Sequence, residues 1–159
     1  MLIRRIEKKD NLILSDLIKS VFREFNIAMP GTVYYDPSTD LLFEHFQNKK
    51  AILLIAEEHH EIVGACGIYP TDGLEADCAE LVKFYLSPQG RNKGIGKRLL
   101  QACLKWSKEN GYNKIYLECF PELETAIEIY KKYGWKSLDK PLGNSGHHAC
   151  SVWMIKELD

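Results

Sequence analysis

The feature that most constrains this chain is a change of apolar period in its middle. From residue 51 to 86 the apolar residues come in short runs of strand character, and from Gly94 onward they recur at helical spacing. The strand-like runs are 51–57, 61–69 and 78–86. His59-His60 reads as a hairpin turn between the first two. Pro70-Thr71-Asp72-Gly73 is a turn signal before the third. The three strands are expected to form an antiparallel meander. After the change, residues 94–110 place Ile95, Leu99, Ala102, Cys103 and Trp106 on one helical face, with Gly111 as the stop. Residues 114–119 read as a strand. Pro121 opens a further helix with Leu123, Ala126, Ile127, Tyr130 and Tyr133 inward, and Gly134 ends it. Residues 135–138 and 149–155 read as closing strands.

The N-terminal third adds a weak strand at 2–6. A helix N-capped by Asp10 follows, with Leu14, Leu17, Ile18, Val21 and Phe25 on its buried stripe. Met29-Pro30-Gly31 breaks that helix. Asp36-Pro37 resembles an N-cap with Pro at the first helical position, opening a short helix to about Gln47. The order β-α-α-β-β-β-α-β-α-β-β predicts an α/β fold, a mixed and mostly antiparallel sheet flanked by helices. With 159 residues, 45% of them apolar, and no repeat or linker, a single domain over 1–159 is expected.

Charge narrows the partners. Lys+Arg is 21 and Asp+Glu is 22, a net charge of −1, so there is no global field to hold a polyanion and nucleic acid is not expected. No apolar run nears the ~20 residues of a membrane span. Arg4-Arg5 follow the first apolar residues at once, without the apolar core of a secretory signal. No membrane partner and a cytoplasmic location are expected. The five cysteines (Cys66, Cys78, Cys103, Cys119, Cys150) are odd in number and never spaced C-x-x-C. That argues against a disulfide framework or a zinc ribbon. No metal is expected, and most of the thiols read as small buried hydrophobes.

The connection from Leu86 to Arg98, Leu-Ser-Pro-Gln-Gly-Arg-Asn-Lys-Gly-Ile-Gly-Lys-Arg, carries the strongest chemical signal. A strand ends, a Gly-rich turn follows and an amphipathic helix starts. Free N–H groups and the dipole at a helix N-terminus attract anions. Gly94 and Gly96 lack a Cβ that would hold a phosphate away, and Arg91, Lys93 and Lys97 add charge. The loop is not a Walker loop, because Lys97 is followed by Arg98 rather than Ser or Thr. It is not a dinucleotide fingerprint, because Leu99 stands where the third glycine is needed. The plain alternative is a glycine-softened connection with solvated lysines.

Arg91-Asn92-Lys93-Gly94-Ile95-Gly96 resembles the signature of the GNAT acetyltransferases: Arg or Gln, two free positions, Gly, one free position, then Gly or Ala. Ala79-Glu80-Leu81-Val82-Lys83-Phe84-Tyr85-Leu86 looks like the strand before that loop in the family. Ala126-Ile127-Glu128-Ile129-Tyr130-Lys131-Lys132-Tyr133-Gly134-Trp135 looks like its second motif. The segments 31–36, 69–73 and 141–150 resemble one bacterial subgroup. One departure is Leu123, where many members carry Asn.

The resemblance implies acetyl-CoA as cosubstrate. The N–H groups of Arg91, Asn92, Lys93, Gly94, Ile95, Gly96 and Lys97 would hold its pyrophosphate. Backbone groups of Phe84, Tyr85 and Leu86 would align its pantetheine arm, and a backbone N–H of the same strand would serve the oxyanion. Glu80 takes the place of the family's base, and Tyr130 that of the tyrosine beside the CoA sulfur. The alternatives are a strand glutamate that faces solvent or pairs with Lys83, and a tyrosine that merely fills the core. Tyr34-Tyr35 and Asp72 are expected near the acceptor cleft by family layout. His147 is a reserve base, but the preferred reading of Gly143–Gly146 and the two histidines after it is a surface loop. Cys119 has no base placed to make it a nucleophile, so the acceptor is expected to attack directly. The acceptor is expected to be a small-molecule amine or amino acid. The rivals are a protein lysine or N-terminal acetyltransferase and a non-catalytic acyl-CoA sensor. Homodimers are common in the family.

Overall fold

The meander forms where the alternation places it. The computed structural model describes residues 1–159. In it β2 (Ile52–Glu58), β3 (Glu61–Tyr69) and β4 (Cys78–Leu86) pair antiparallel in succession. His59 and His60 make the hairpin turn, both at positive φ, the hand that matches the twist of the strands they join. β1 (Leu2–Arg5) lies antiparallel on β2. β5 (Lys114–Cys119) runs parallel to β4, an arrangement that needs the crossover supplied by α3 (Ile95–Glu109). After α4 (Glu124–Lys132) come β6 (Lys136–Leu138) and β7 (Val152–Glu157). The sheet order is β1-β2-β3-β4-β5-β7-β6.

The sheet is covered on both faces. α1 (Asn11–Glu24) lays Leu14, Ile18 and Phe22 on Leu53, Ile55 and Ala65. α3 lays Leu99 and Cys103 on Ala79, Leu81, Ile115 and Leu117. β2 is therefore apolar on both sides, which is why its sequence reads as an unbroken apolar run. Phe22, Leu14 and Ile18 are fully buried, each contributing ~1.5–3 kcal/mol of transfer free energy. Four of the five thiols are buried and Cys150 is half-buried.

Local chemistry moves some boundaries. α1 stops at Glu24, before the Pro-Gly break. Asn26 takes the left-handed conformation (φ 55°), and the Ile27 N–H reaches back to the Phe22 carbonyl at 2.9 Å, a Schellman ending with Asn where Gly is usual. Asp10 does not cap α1. Its carboxylate takes the Glu7 N–H at 2.7 Å and an ion pair from Arg4 at 2.8 Å. Asp36 does accept from the Ser38 N–H, at 2.9 Å. The helix expected to 47 is instead two 3₁₀ turns (Val33–Tyr35, Pro37–Asp40) and a single α turn, α2 (Leu42–His45). α4 begins three residues after Pro121, and β7 begins at Val152 because residues 147–150 close a turn, Cys150 N–H to the His147 carbonyl at 3.2 Å.

One irregularity sets up the rest. β4 pairs with β5 only from Cys78↔Lys114 to Leu81↔Leu117. Lys83 then takes φ 53°, and the β3–β4 register shifts between Ala65 and Gly67. A bulge bends the strand that carries it. β4 continues to Leu86 without β5 alongside, and a cleft opens between them.

The Arg4–Asp10 pair ties β1 to the start of α1. Burial pushes the Asp10 carboxyl up, but Arg4 and the Glu7 N–H outweigh it and hold it below the usual range. Asp10→Ala is expected to cost about 2 kcal/mol in urea unfolding at pH 7, because it removes the charge-assisted hydrogen bonds to Arg4 and the Glu7 N–H while Arg4 keeps Glu57. A carboxyl with a depressed folded value stabilises above its unfolded value and loses that contribution as pH falls. The gap between wild type and variant should therefore narrow as pH falls through the carboxyl range; a gap that stays constant from pH 7 into acid would refute the account.

Candidate active site

The cleft begins where the strands part. Its closed end is a cavity of about 70 Å³ lined by, among others, Glu80, Lys83, Phe84, Glu118, Tyr130 and His147. Its other end meets the start of α3. An added Cβ on Gly96 would lie 3.1 Å from Leu86 Cδ1 and 3.5 Å from Phe84 Cζ, so the first turn of α3 sits directly on the end of β4.

That first turn presents unpaired donors. Gly94 (φ 75°) and Asn92 (φ 61°) are both left-handed, and the N–H groups from Asn92 to Lys97 find no acceptor in the chain. Alternating backbone hands of this kind curl successive N–H groups around one point, an anion nest. A Cβ on Gly94 would meet nothing within 4 Å; glycine is needed there for its φ and for the open space in front. Gly96 is needed for packing on β4 rather than for room before a phosphate. The side chains differ from expectation too. Arg91 is bidentate to Glu24 at 2.7 and 2.8 Å, donates to the Leu86 carbonyl at 3.1 and 3.3 Å, and gives its own N–H to Pro88. Its charge is neutralised in holding the end of α1 to the end of β4. Lys93 pairs with Glu58 at 2.6 Å. Lys97 alone of the three cations makes no ion pair, its ammonium resting 6.0 Å from the Tyr133 ring.

In the cavity Glu80 is 4% exposed. It neither faces solvent nor lies within 4.0 Å of the Lys83 ammonium. The Thr71 hydroxyl donates to its Oε2 at 2.5 Å. Burial pushes its carboxyl up to about 7, with the nearby Glu118 charge adding and Thr71 resisting. Tyr130 is 5% exposed, its ring between Phe84 (6.3 Å) and Trp135 (5.5 Å). Burial pushes its phenol well above the ordinary value, so it stays protonated. Its hydroxyl has no hydrogen-bond partner in the chain. Cys119 is a thiol pushed up to about 11 by burial, and no base stands beside it. Leu123 lines the same wall with an apolar side chain.

The loop expected at the histidines does run over the surface, with Gly143, Asn144, Gly146 and His148 exposed, but His147 turns into the cavity. His147 Nε2 lies 2.7 Å from Asp36 Oδ2. Burial raises the Asp36 carboxyl, but His147, the Ser38 N–H and the Lys83 charge hold it at about 2. His148 stays exposed, its ring against Gly31. Tyr34 and Tyr35 do not line the cavity; their neighbour Val33 does. Asp72 contributes its carbonyl, which takes the Asn144 N–H at 2.7 Å.

Sequence reasoning missed Glu118, Thr71 and Lys83. Glu118 takes the Tyr116 hydroxyl at 2.8 Å and the Ser145 hydroxyl, and Tyr116 in turn accepts the Leu142 N–H at 3.1 Å. Its signal was present: Lys114, Tyr116 and Glu118 are polar at alternate positions of β5, a pattern that gives one face something other than core to meet.

Residues 18–135 match the family model of the "Acetyltransferase (GNAT) family". The chain is 34% identical over 156 residues to the "Uncharacterized N-acetyltransferase YjgM" of Escherichia coli, covering 98% of this chain and 93% of that one. A GNAT-family acetyltransferase from Staphylococcus aureus superposes with a TM-score of 0.88 at 23% identity, over 99% of both chains. The PaiA N-acetyltransferase of Thermoplasma acidophilum, solved in complex with coenzyme A, superposes at 0.75 and 22% identity, over 98% of both. A split between a parallel strand pair, an anion nest at its mouth and this match over most of its length lead to one conclusion: the chain is an acyltransferase and belongs to the GNAT acetyltransferase family.

Proposed function

We propose that the enzyme moves an acetyl group from acetyl-CoA directly to a primary amine of a small molecule or amino acid. The observation that carries this reading is that Glu80, with its value near neutral, and Tyr130, with a free hydroxyl, line one cavity at the closed end of a cleft whose mouth is the Asn92–Lys97 anion nest. The nest receives the pyrophosphate. The open edge of β4 through Phe84, Tyr85 and Leu86 aligns the pantetheine arm, and a backbone N–H of that edge receives the oxyanion. Glu80 takes a proton from the acceptor ammonium, whose ordinary value near 10.4 leaves little free amine at pH 7. The amine attacks the thioester carbonyl, the C–S bond breaks, and Tyr130 gives its proton to the departing thiolate. A cavity of about 70 Å³, with His147 on one wall, favours a small acceptor over a folded protein. An acyl-CoA sensor would have no need of a buried carboxylate that titrates near neutrality. A cytoplasmic enzyme, alone or as a homodimer, completes the reading.

Glu80→Gln is expected to lower kcat/KM by ~10²–10⁴-fold and to remove the acidic limb near pH 7, leaving the limb of the acceptor amine. Stability should move the other way. The folded value of Glu80 lies above its unfolded value, so ionising it opposes folding and stability falls as pH rises through about 7. Wild type should therefore be less stable than Glu80→Gln at pH 8, by on the order of 3 kcal/mol, and equal to it near pH 4. A variant that is less stable than wild type at pH 8 would make Glu80 a structural residue.

Tyr130→Phe removes only the hydroxyl. Turnover on acetyl-CoA should fall at least tenfold while the melting temperature barely moves, and the loss should shrink with a donor whose thiol is more acidic. Normal turnover, with chemistry rate-limiting, would return the residue to the core.

Gly94→Leu should raise the Kd for coenzyme A at least tenfold by calorimetry, with far-UV circular dichroism unchanged, because the new side chain occupies the space before the nest. Gly96→Leu should instead lower the melting temperature, since its side chain meets Leu86 and Phe84. Unchanged coenzyme A affinity in Gly94→Leu would exclude this loop as the phosphate site.

A further inference from the structure

Lys83 carries two costs, and Asp36 and Glu80 offset the first only from a distance. It is 5% exposed, yet its ammonium makes no hydrogen bond and no ion pair within 4.0 Å. A buried charge without a partner is expensive by several kcal/mol. It also holds φ 53° in the bulge of β4, a conformation that a long side chain adopts at a cost of about 1–2 kcal/mol. Strain of this kind persists where the surroundings enforce it, and it concentrates at ligand-binding sites.

The surroundings explain why the ammonium is left over. Burial pulls the Lys83 ammonium below its ordinary value, the charges of Asp36 and Glu80 work against that, and Lys83 in turn disfavours a charge on His45. Asp36 is already held by His147 and the Ser38 N–H. Glu80 is held by the Thr71 hydroxyl and ionises only near pH 7. Glu118 is held by Tyr116 and Ser145. Each carboxylate around the cavity has its own donor, and the one cation on this wall has none.

We propose that Lys83 binds the carboxylate of the acceptor, and that the acceptor is an α-amino acid. This rests on the acetyl-transfer reading above. Glu80 and Lys83 are three residues apart on β4, and with the bulge after Val82 both line the same cavity. A molecule that carries an amine and a carboxylate close together can meet both groups at once, each through a hydrogen bond of roughly 2.8 Å. The ammonium end of such a zwitterion faces Glu80, which takes its proton. The carboxylate end supplies the counter-charge that Lys83 lacks. An amine without a carboxylate leaves that ammonium buried and unpaired, and sites built for a polar partner reject analogues that lack it.

The test is thiol release from acetyl-CoA with a panel of L-amino acids, the matching L-amino acid amides, and carboxylate-free alkylamines. For the best acceptor, kcat/KM should favour the acid over its amide by on the order of 10²-fold, the worth of a charge-assisted contact. The amides hold more of their amine neutral at pH 7, which works against this result and makes it stringent. Lys83→Met should collapse the acid-to-amide ratio to within about threefold, chiefly through KM for the acid. A ratio near one in wild type overturns the proposal, and so does a ratio that survives Lys83→Met. Equal loss on acid and amide in the variant overturns it too, because it assigns the ammonium to the oxyanion or to the fold. The wild-type comparison needs no variant, so it decides the matter even if Lys83→Met does not fold. Release with alkylamines but not amino acids refutes this proposal and keeps the acetyl-transfer reading. No release with any amine refutes both.

Discussion

The site depends on two neighbouring strands ceasing to pair. β4 and β5 share a regular parallel ladder as far as Leu81 and Leu117 and then diverge. Backbone N–H and C=O groups are obligatory hydrogen-bonding groups, so an interior strand with one open edge seeks an extended partner. The arm of coenzyme A carries amides and is such a partner. The bulge at Lys83 turns β4 away from β5, and it also brings the Lys83 side chain to the wall that holds Glu80. One backbone irregularity therefore opens the edge of β4 and shapes the cavity beside it.

The walls of the cleft are joined by contacts between residues far apart in sequence. Arg91 ties Glu24 at the end of α1 to the Leu86 carbonyl at the end of β4. The 141–148 loop is held at Tyr116, Glu118, Asp72 and Asp36. Pairs of this half-buried kind add modestly to stability, because desolvation offsets most of their attraction. Their larger effect is positional: they keep the anion nest at the mouth of the cleft and His147 at its closed end.

Carboxylates in one small cavity are treated differently by their surroundings. His147 and a backbone N–H hold Asp36 at about 2, while burial lifts Glu80 to about 7. Environments that push like groups apart divide their labour. Asp36 stays ionised and anchors His147, while Glu80 can take up or release a proton near neutral pH. The difference lies in hydrogen bonds and burial, not in residue type.

What the sequence determined by itself is what depends on near neighbours. The alternation of 61–69 and 78–86 and the helical stripe after Gly94 are local patterns, and those elements stand where the patterns put them. The Gly-rich turn was legible for the same reason, since left-handed φ and a helix N-terminus are properties of a few consecutive residues. Boundaries slipped where a distant partner intervened. Asp10 looks like a helix cap until Arg4 claims its carboxylate, and Arg91 looks like a phosphate ligand until Glu24 neutralises it. His147 looks like loop until Asp36, more than a hundred residues earlier, draws it into the site. Only the tertiary structure could decide these roles, because the field and the desolvation at a side chain come from whatever the fold places around it. Lys83 is the extreme case: in sequence it is one lysine of a mostly apolar strand, and only the fold shows that it is buried at the cavity without an ion pair.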